Sequence, residues 1–396
     1  MTRRYLTLLV VAGALLFGSC AGRRSQVDRT AGDTSSATLS GGSSGVSATI
    51  SDSSNLNPRH ATGFEVTPGE GYRLLTLHDP QEESGGVSSF ALVPRGTSPE
   101  LPAGVERVEV PVRSVICMTS LQLSNLIALD RTDAVVGITS TRHLHNADML
   151  ARIAEGRARR IGIEGNFDPE VIMEIDPDLI IISPYKRGGY DNLRQVGIPL
   201  LPHFGYQETT PLGQAEWIRC VGELLGQRAV ADSVFAGIER RYEGLRALAG
   251  SVEGPRPTVL SGELRGGNWY AVGGESYLAR LFRDAGADYF LRNDTRAGGV
   301  TLDFESVYAE ASGVRYWRIL NSFEGTFSYD ALRREDARYA DFRAWRERGI
   351  IYCNMREVPF YESTPVEPDV VLADFIKVFH PELVPDHEPV YYKLLK

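Results

Sequence analysis

From Ser114 onward, short bare apolar runs alternate with stretches whose apolar residues recur every three or four positions. "SVICM", "DAVVGIT", "DLIIIS" and "IPLLPHF" have almost no polar side and predict buried strands. "SLQLSNLIALD", "DPEVIMEI" and "YDNLRQVG" lie between them and predict short helices, the first with Leu123, Leu126 and Ile127 on one face. Apolar strands separated by helices imply a parallel sheet covered on both faces. In such sheets ligands sit beyond the carboxyl ends of the strands.

Three other rhythms flank this one. Phe64–Val112 is β-rich, with "YRLLTLHD" and "SSFALVPRG" separated by a Gly-Gly turn, then "VERVEVPV". It predicts an added hairpin or sheet edge at the front of the first lobe. Trp217, Ile218, Val221, Leu224 and Leu225 predict a helix ending near Gly226. Val230, Val234, Ile238, Tyr242, Leu245 and Leu248 then form a stripe over residues 228–249, a helix of roughly 33 Å at 1.5 Å per residue. Such a helix can join two lobes as a stiff strut, and the same stripe is compatible with packing on one lobe alone.

The second half restarts the pattern. "PRPTVLSGEL" predicts a strand, "GGESYLARLFRDAGADY" a helix, "GIIYCN" a strand and "VLADFIKVFHPEL" a closing helix. "DFESVYAEASGVRYWRI" parallels "DPEVIMEIDPDLIIIS": Glu170 and Glu305 both open a short helix, with strands expected from Leu179 and Val314. Asp168 is a good N-cap, Pro169 suits the first helical position, and Glu170 meets the positive end of the helix dipole. Asp176 and Pro177 stop that helix.

At 396 residues the chain is too long for one typical core, so two lobes or domains are expected. Its net charge of -9, without any Lys/Arg-dense stretch with interleaved aromatics, argues against a nucleic-acid partner. Arg3, Arg4 and the apolar run Leu6–Phe17 have the form of an export signal, too short to span a bilayer as a helix. Gly18 and Ser19 before Cys20 resemble a lipoprotein signal in which Cys20 is lipidated, although Phe17 stands where an aliphatic residue is usual. A plain secretory signal cut nearby is the alternative. Residues 20–58, rich in Ser, Gly, Thr and Ala, read as a flexible tether. The organisation expected is therefore signal 1–19, tether 20–58, first lobe 59–227, linking helix 228–249 and second lobe 250–396. Cys117, Cys220 and Cys353 lie far apart without a CxxC pair, which fits three buried thiols better than a zinc site. One disulfide would leave a cysteine over.

"RTDAVVGIT", "NFDPEVIMEIDPDLIIISPY", "LRQVGIPLLPH", "GELLGQRAVADSVFAGIERRY", "NWYAVGGESYLARLFRDAGADY" and "PDVVLADFIKVFHPEL" together resemble the helical-backbone (class III) substrate-binding lipoproteins of ABC importers for iron complexes and cobalamin. No single motif carries the resemblance; the ordered set does, from about Val108 to Lys396. It implies an α/β fold with two Rossmann-like lobes, one long linking helix, a cleft between the lobes and modest closure. It also implies no catalytic residues, no intrinsic cofactor, and partners in a permease and its ATPase subunits. The location implied is the cell envelope, exported and periplasm-facing. Glu170 and Glu305 match the two glutamates, one per lobe, that meet permease arginines in that family. Any glutamate in a first helical turn also stabilises the dipole, so that role stands beside docking.

The expected cleft loops carry Thr119, Tyr185, Arg187, Tyr190, Tyr206, Arg265, Trp269 and Tyr270. Aromatic walls with a few cations suit a bulky, partly anionic complex such as a ferric siderophore or haem, with cobalamin as the alternative. Trp269 and Tyr270 are the leading individual candidates, directly after "RGGN"; Arg265 and Arg187 are candidate anion partners. A bare Zn or Mn site would draw on His143, His145 and His203, though histidines two apart in a loop are usually solvated. The sequence has no GxSxG, HExxH or P-loop motif. A tetrapyrrole-processing activity is the enzyme reading that remains.

Overall fold

Phe64 and Val66 point inward while Glu65 points out, and this alternation builds the first strand, Phe64–Gly69. It pairs antiparallel with Tyr72–Leu77, which pairs antiparallel with Ser88–Pro94, and that strand runs parallel to Glu106–Val110. The expected hairpin is thus the middle of a four-stranded mixed sheet. Its inner face packs on helix Pro211–Leu224, with the Phe64 ring edge-on to Trp217 at 5.1 Å. The computed structural model describes residues 57–81, 86–163, 165–183 and 190–396. Cys20, Tyr185 and Arg187 lie outside the described residues.

The first lobe holds a parallel sheet in the order Leu200–Pro202, Leu179–Ile182, Val115–Cys117, Val135–Ile138, Arg159–Arg160. Leu179–Ile182 is buried along its whole length, as a central strand with no polar side must be. Helix Pro169–Ile175 precedes it. Asp168 Oδ1 accepts from the Val171 amide at 3.1 Å, and Asp176 ends the helix in the left-handed conformation at φ 48°. Asp178 Oδ2 then accepts from the Arg113 amide at 2.7 Å, tying the strand to the start of its neighbour.

The second lobe repeats this order: Ile350–Asn354, Tyr316–Asn321, Thr258–Ser261, Asp288–Tyr289, all parallel. A short antiparallel strand, Lys393–Leu394, covers the outer edge. The strand after Glu170's helix and the strand after Glu305's helix occupy the same place, beside the first strand of their sheets. The repeat differs in one detail. Val314 lies between the elements, and the strand starts at Tyr316, because helix Phe304–Ala311 and the connection after it are each one residue longer than their counterparts. The chain is therefore α/β, with two lobes built on parallel sheets.

Helix Arg228–Gly250 packs against Pro211–Leu224 on one side and Pro368–Phe379 on the other. Its buried face is Ala231, Phe235, Ile238, Tyr242 and Ala249, whereas Val230 and Leu248 of the expected stripe are exposed. Ile238 and Tyr242 of the stripe are buried between these two helices, and its ends turn to solvent. Cys117, Cys220 and Cys353 are free and buried, and burial pushes the thiols of Cys117 and Cys353 up to about 12. Among the described residues no helix is long and apolar enough to cross a membrane.

Candidate ligand cleft

The carboxyl ends of the first-lobe strands release the loops that form one wall of a cavity of about 550 Å³. Thr119 caps helix Ser120–Ala128 there. The loop before it is held from within: buried Gln122 accepts through Oε1 from the amides of Met118 at 2.7 Å and Thr119 at 3.1 Å. Thr139 Oγ1 donates to the Met118 carbonyl at 2.7 Å. Thr119, Ser120, Thr139, Ser140 and Ser183 consequently present a rim of hydroxyls on rigid backbone. Arg160 adds a cation to the same wall.

Tyr361 supplies the second-lobe side of this cavity. A further cavity of about 430 Å³ adjoins it, sharing Leu121, Tyr206 and Tyr361. It takes Tyr277, Leu278, Leu281 and Arg318 from the second lobe and Gln207, Glu208 and Gln214 from the first. Together the two form one cleft, waisted by Tyr206 and Tyr361. Helix Phe360–Ser363 also rests on helix Ser120–Ala128, so second-lobe chain forms part of the cleft floor.

Loop 141–146 bridges the lobes beside the cleft. The His145 amide donates to both Glu362 carboxylate oxygens at 3.1 Å, and the His145 ring approaches the Met355 carbonyl at 3.3 Å. His143 Nε2 lies 3.3 Å from Ser322 Oγ. These contacts use the two histidines across the lobe boundary rather than as a shared ligand pair. His203 is elsewhere, fully buried against Trp217 at 4.5 Å, with its pKa pushed down to about 4 by burial. Among the described residues no group of three or more His, Cys, Asp or Glu converges as a metal site.

The expected ligand residues divide. Thr119 and Tyr206 line the cleft. Trp269 does not: it is 0% exposed. Its Nε1 donates to the Ser261 carbonyl at 3.1 Å, and its ring packs among Trp317, Tyr339 and Phe342. Alternation along strand Asn268–Val272 sends Trp269 inward and its neighbour Tyr270, 46% exposed, outward. Tyr270 and Arg265 border a separate hollow of about 110 Å³, too small for a bulky complex, and Arg265 is ion-paired to Glu263. Tyr190 is a brace. Its Oη donates to the Ser183 carbonyl at 2.8 Å and its ring stacks on Phe167 at 5.6 Å, fixing the end of strand Leu179–Ile182.

Tyr361 and Arg318 were missed from sequence. Tyr361 lies in "PFYESTP", where paired aromatics between prolines are its one signal. Arg318 is the charged residue in an otherwise apolar strand, "YWRIL". Glu170 and Glu305 both stand exposed in the first turns of their helices. A helix covering a parallel sheet runs against the strands, so its first turn lies at the carboxyl edge, the cleft side of each lobe. Glu305 Oε1 is 3.8 Å from Arg338 Nη1.

Known proteins share this architecture. A lipoprotein from Methanocaldococcus jannaschii is 22% identical over 303 residues, 73% of this chain and 70% of its own. A periplasmic haem-binding protein from Pseudomonas aeruginosa superposes with a TM-score of 0.54 at 19% identity, covering 70% of this chain and 96% of that one. An ABC-type Fe3+-hydroxamate transport system protein from Saccharomonospora viridis gives 0.52 at 21%, covering 68% and 94%. At these identities the two structures share the fold. The family model for periplasmic binding proteins matches residues 115–356, more than half of the sequence and most of both lobes; the chain belongs to the periplasmic binding protein family.

Proposed function

We propose that this protein is the substrate-binding component of an ABC importer, capturing an iron complex, a ferric siderophore or haem, and delivering it to a permease. The observation that carries this reading is the cleft at the carboxyl edges of both sheets, with Tyr206 of the first lobe and Tyr361 of the second at its waist. Hydroxyl groups on fixed backbone at one end and a chamber of mixed apolar and polar lining at the other suit a large ligand with polar groups on an apolar body. Similar structures described as haem-binding and as part of Fe3+-hydroxamate transport support the cargo class. A lipoprotein relative supports export and anchoring through Cys20, with residues 20–58 as the tether. Residues 59–227 and 250–396 are then the two lobes, joined by the helix from residue 228. Glu170 and Glu305 would dock on the permease.

The test is a titration of the protein from Arg59 onward with haem, cobalamin and several ferric siderophores, following absorbance and melting temperature. A ligand at a hundredfold over its Kd should add about 2.7 kcal/mol of stability. A response to one iron complex identifies the cargo. A response to cobalamin alone keeps the importer role and replaces the substrate. Stabilisation by Zn or Mn alone overturns the reading of the cleft.

A further inference from the structure

Arg318 stands on Tyr316–Asn321, a strand hydrogen-bonded to neighbours on both sides. Trp317 and Ile319 turn into the core, and Arg318, half-buried, borders both the 430 Å³ chamber and the 110 Å³ hollow. Among the described residues one side chain holds its guanidinium. Nε donates to Tyr392 Oη at 3.0 Å, Nη2 donates to the same oxygen, and the guanidinium carbon lies 5.0 Å from the Tyr392 ring centroid. Tyr392 is itself 1% exposed and stacked on Phe375 at 4.7 Å.

This arrangement fixes the charge without neutralising it. Among the described residues no carboxylate lies within ion-pairing distance of Arg318, whereas Arg265, Arg296 and Arg338 are each paired with an acid two positions away. The carboxylate that reaches the same chamber, Glu208, is already committed. It accepts from the Thr62 and Gly63 amides, Thr62 Oγ1 and Trp217 Nε1. A guanidinium has five N–H donors, and those not spent on Tyr392 remain for a partner. A half-buried cation facing a neutral hydroxyl gains most from an anionic oxygen group arriving in the chamber, where the local dielectric is low. Tyr277, Leu278, Leu281 and Val371 leave apolar surface for the remainder of the ligand.

We propose that Arg318 is the specificity-determining residue for a carboxylate on the cargo, that Tyr392 positions it, and that the cargo is an organic metal complex carrying that carboxylate on an apolar body. The proposal rests on reading the cleft as the site of an iron complex. Its test uses haem, whose carboxylates are free, against haem dimethyl ester, together with ferric citrate and a neutral ferric trihydroxamate. Each is titrated into the wild-type protein, Arg318→Gln, Arg318→Lys and Tyr392→Phe. The wild type is expected to bind an acid probe more tightly than the neutral ones. Arg318→Gln is expected to weaken acid binding by roughly 10- to 100-fold, the value of a charge-assisted bond, while leaving neutral probes unchanged. Arg318→Lys should recover part of the loss, and Tyr392→Phe should lie between. Unliganded melting temperatures report folding; if Arg318→Gln fails to fold, Arg318→Lys and Tyr392→Phe carry the comparison. Acid binding that is indifferent to all three variants overturns the role of Arg318, as does binding of the neutral probes alone, and both leave the importer reading standing. Failure of every probe overturns that reading and this inference with it.

Discussion

Glu216 is 0% exposed, yet it accepts from three consecutive amides: Arg59 at 2.9 Å, His60 at 2.7 Å and Ala61 at 3.0 Å. Arg219 Nη1 completes the set at 2.8 Å. With Glu208 holding the next two amides, the segment entering the fold is clamped by two buried carboxylates, one in helix Pro211–Leu224 and one just before it. Glu216→Gln places an amide N–H₂ among backbone donors and is expected to cost about 2–4 kcal/mol in urea denaturation. A loss below about 0.5 kcal/mol would mean that other contacts hold the segment. His203 supplies a pH dependence. Its folded pKa of about 4 lies below the ordinary histidine value of 6.5, so the unfolded chain takes up the proton first. Its contribution is complete above about pH 6.5 and is lost as pH falls toward 4. Burial raises the carboxyl of Glu208, which slopes the other way, so the variant isolates the histidine. His203→Gln should flatten the loss of stability between pH 7 and pH 5, and an unchanged slope would assign it to other groups. Neither clamp was legible in the sequence, because a buried Glu and an exposed one are the same letter.

Two glycines in helices test the packing of the strut. A Cβ at Gly222 would come within 2.5 Å of Ala231 Cβ, where Pro211–Leu224 meets Arg228–Gly250. Gly222→Ala must push these helices apart and is expected to destabilise by about 1–3 kcal/mol. At Gly244, exposed within the second helix, a Cβ meets nothing within 4 Å. Gly244→Ala is expected to stabilise by about 0.5–1 kcal/mol through helix propensity alone. Opposite shifts in the urea midpoint would confirm the distinction; equal shifts would contradict the close approach. The central strands and most helices of both lobes were readable because burial on both faces demands unbroken apolar runs and caps leave a chemical signature, whereas the short edge strands Arg159–Arg160 and Asp288–Tyr289 carry no such run. Helices Ala147–Ala154 and Tyr329–Glu335 were passed over, although Asn146 and Ser328 cap them, because a long loop separates each from the strand before it.

The docking proposed for Glu170 and Glu305 draws on both lobes at once. Glu305 is four-fifths exposed, so its 3.8 Å contact with Arg338 is worth little and leaves its carboxylate open to a competing cation. Arg338 has other partners, Asp336 and the face of Phe304. Glu170→Ala and Glu305→Ala should leave ligand affinity unchanged. In reconstituted vesicles the double variant is expected to lower uptake by roughly tenfold or more, since each loss removes a charge-assisted contact. Full uptake by the double variant would confine both glutamates to stabilising their helix dipoles.

Period and capping depend on near neighbours in the chain, so the order of strands and helices, the internal repeat and the class of the fold could be read before any contact was known. Direction and convergence depend on residues far apart. Trp269 and Tyr270 are adjacent in sequence, and pairing with Leu302 and Thr301 sends one into an aromatic core and leaves the other at the surface. Tyr206 and Tyr361 meet at the cleft only because helix Phe360–Ser363 packs across the lobe boundary. Arg318 became a candidate for recognition when the sole hydrogen-bonding partner of its guanidinium among the described residues proved to be Tyr392, far away in the sequence. Which charges are already paired is a property of long-range packing, and no local pattern of residues encodes it.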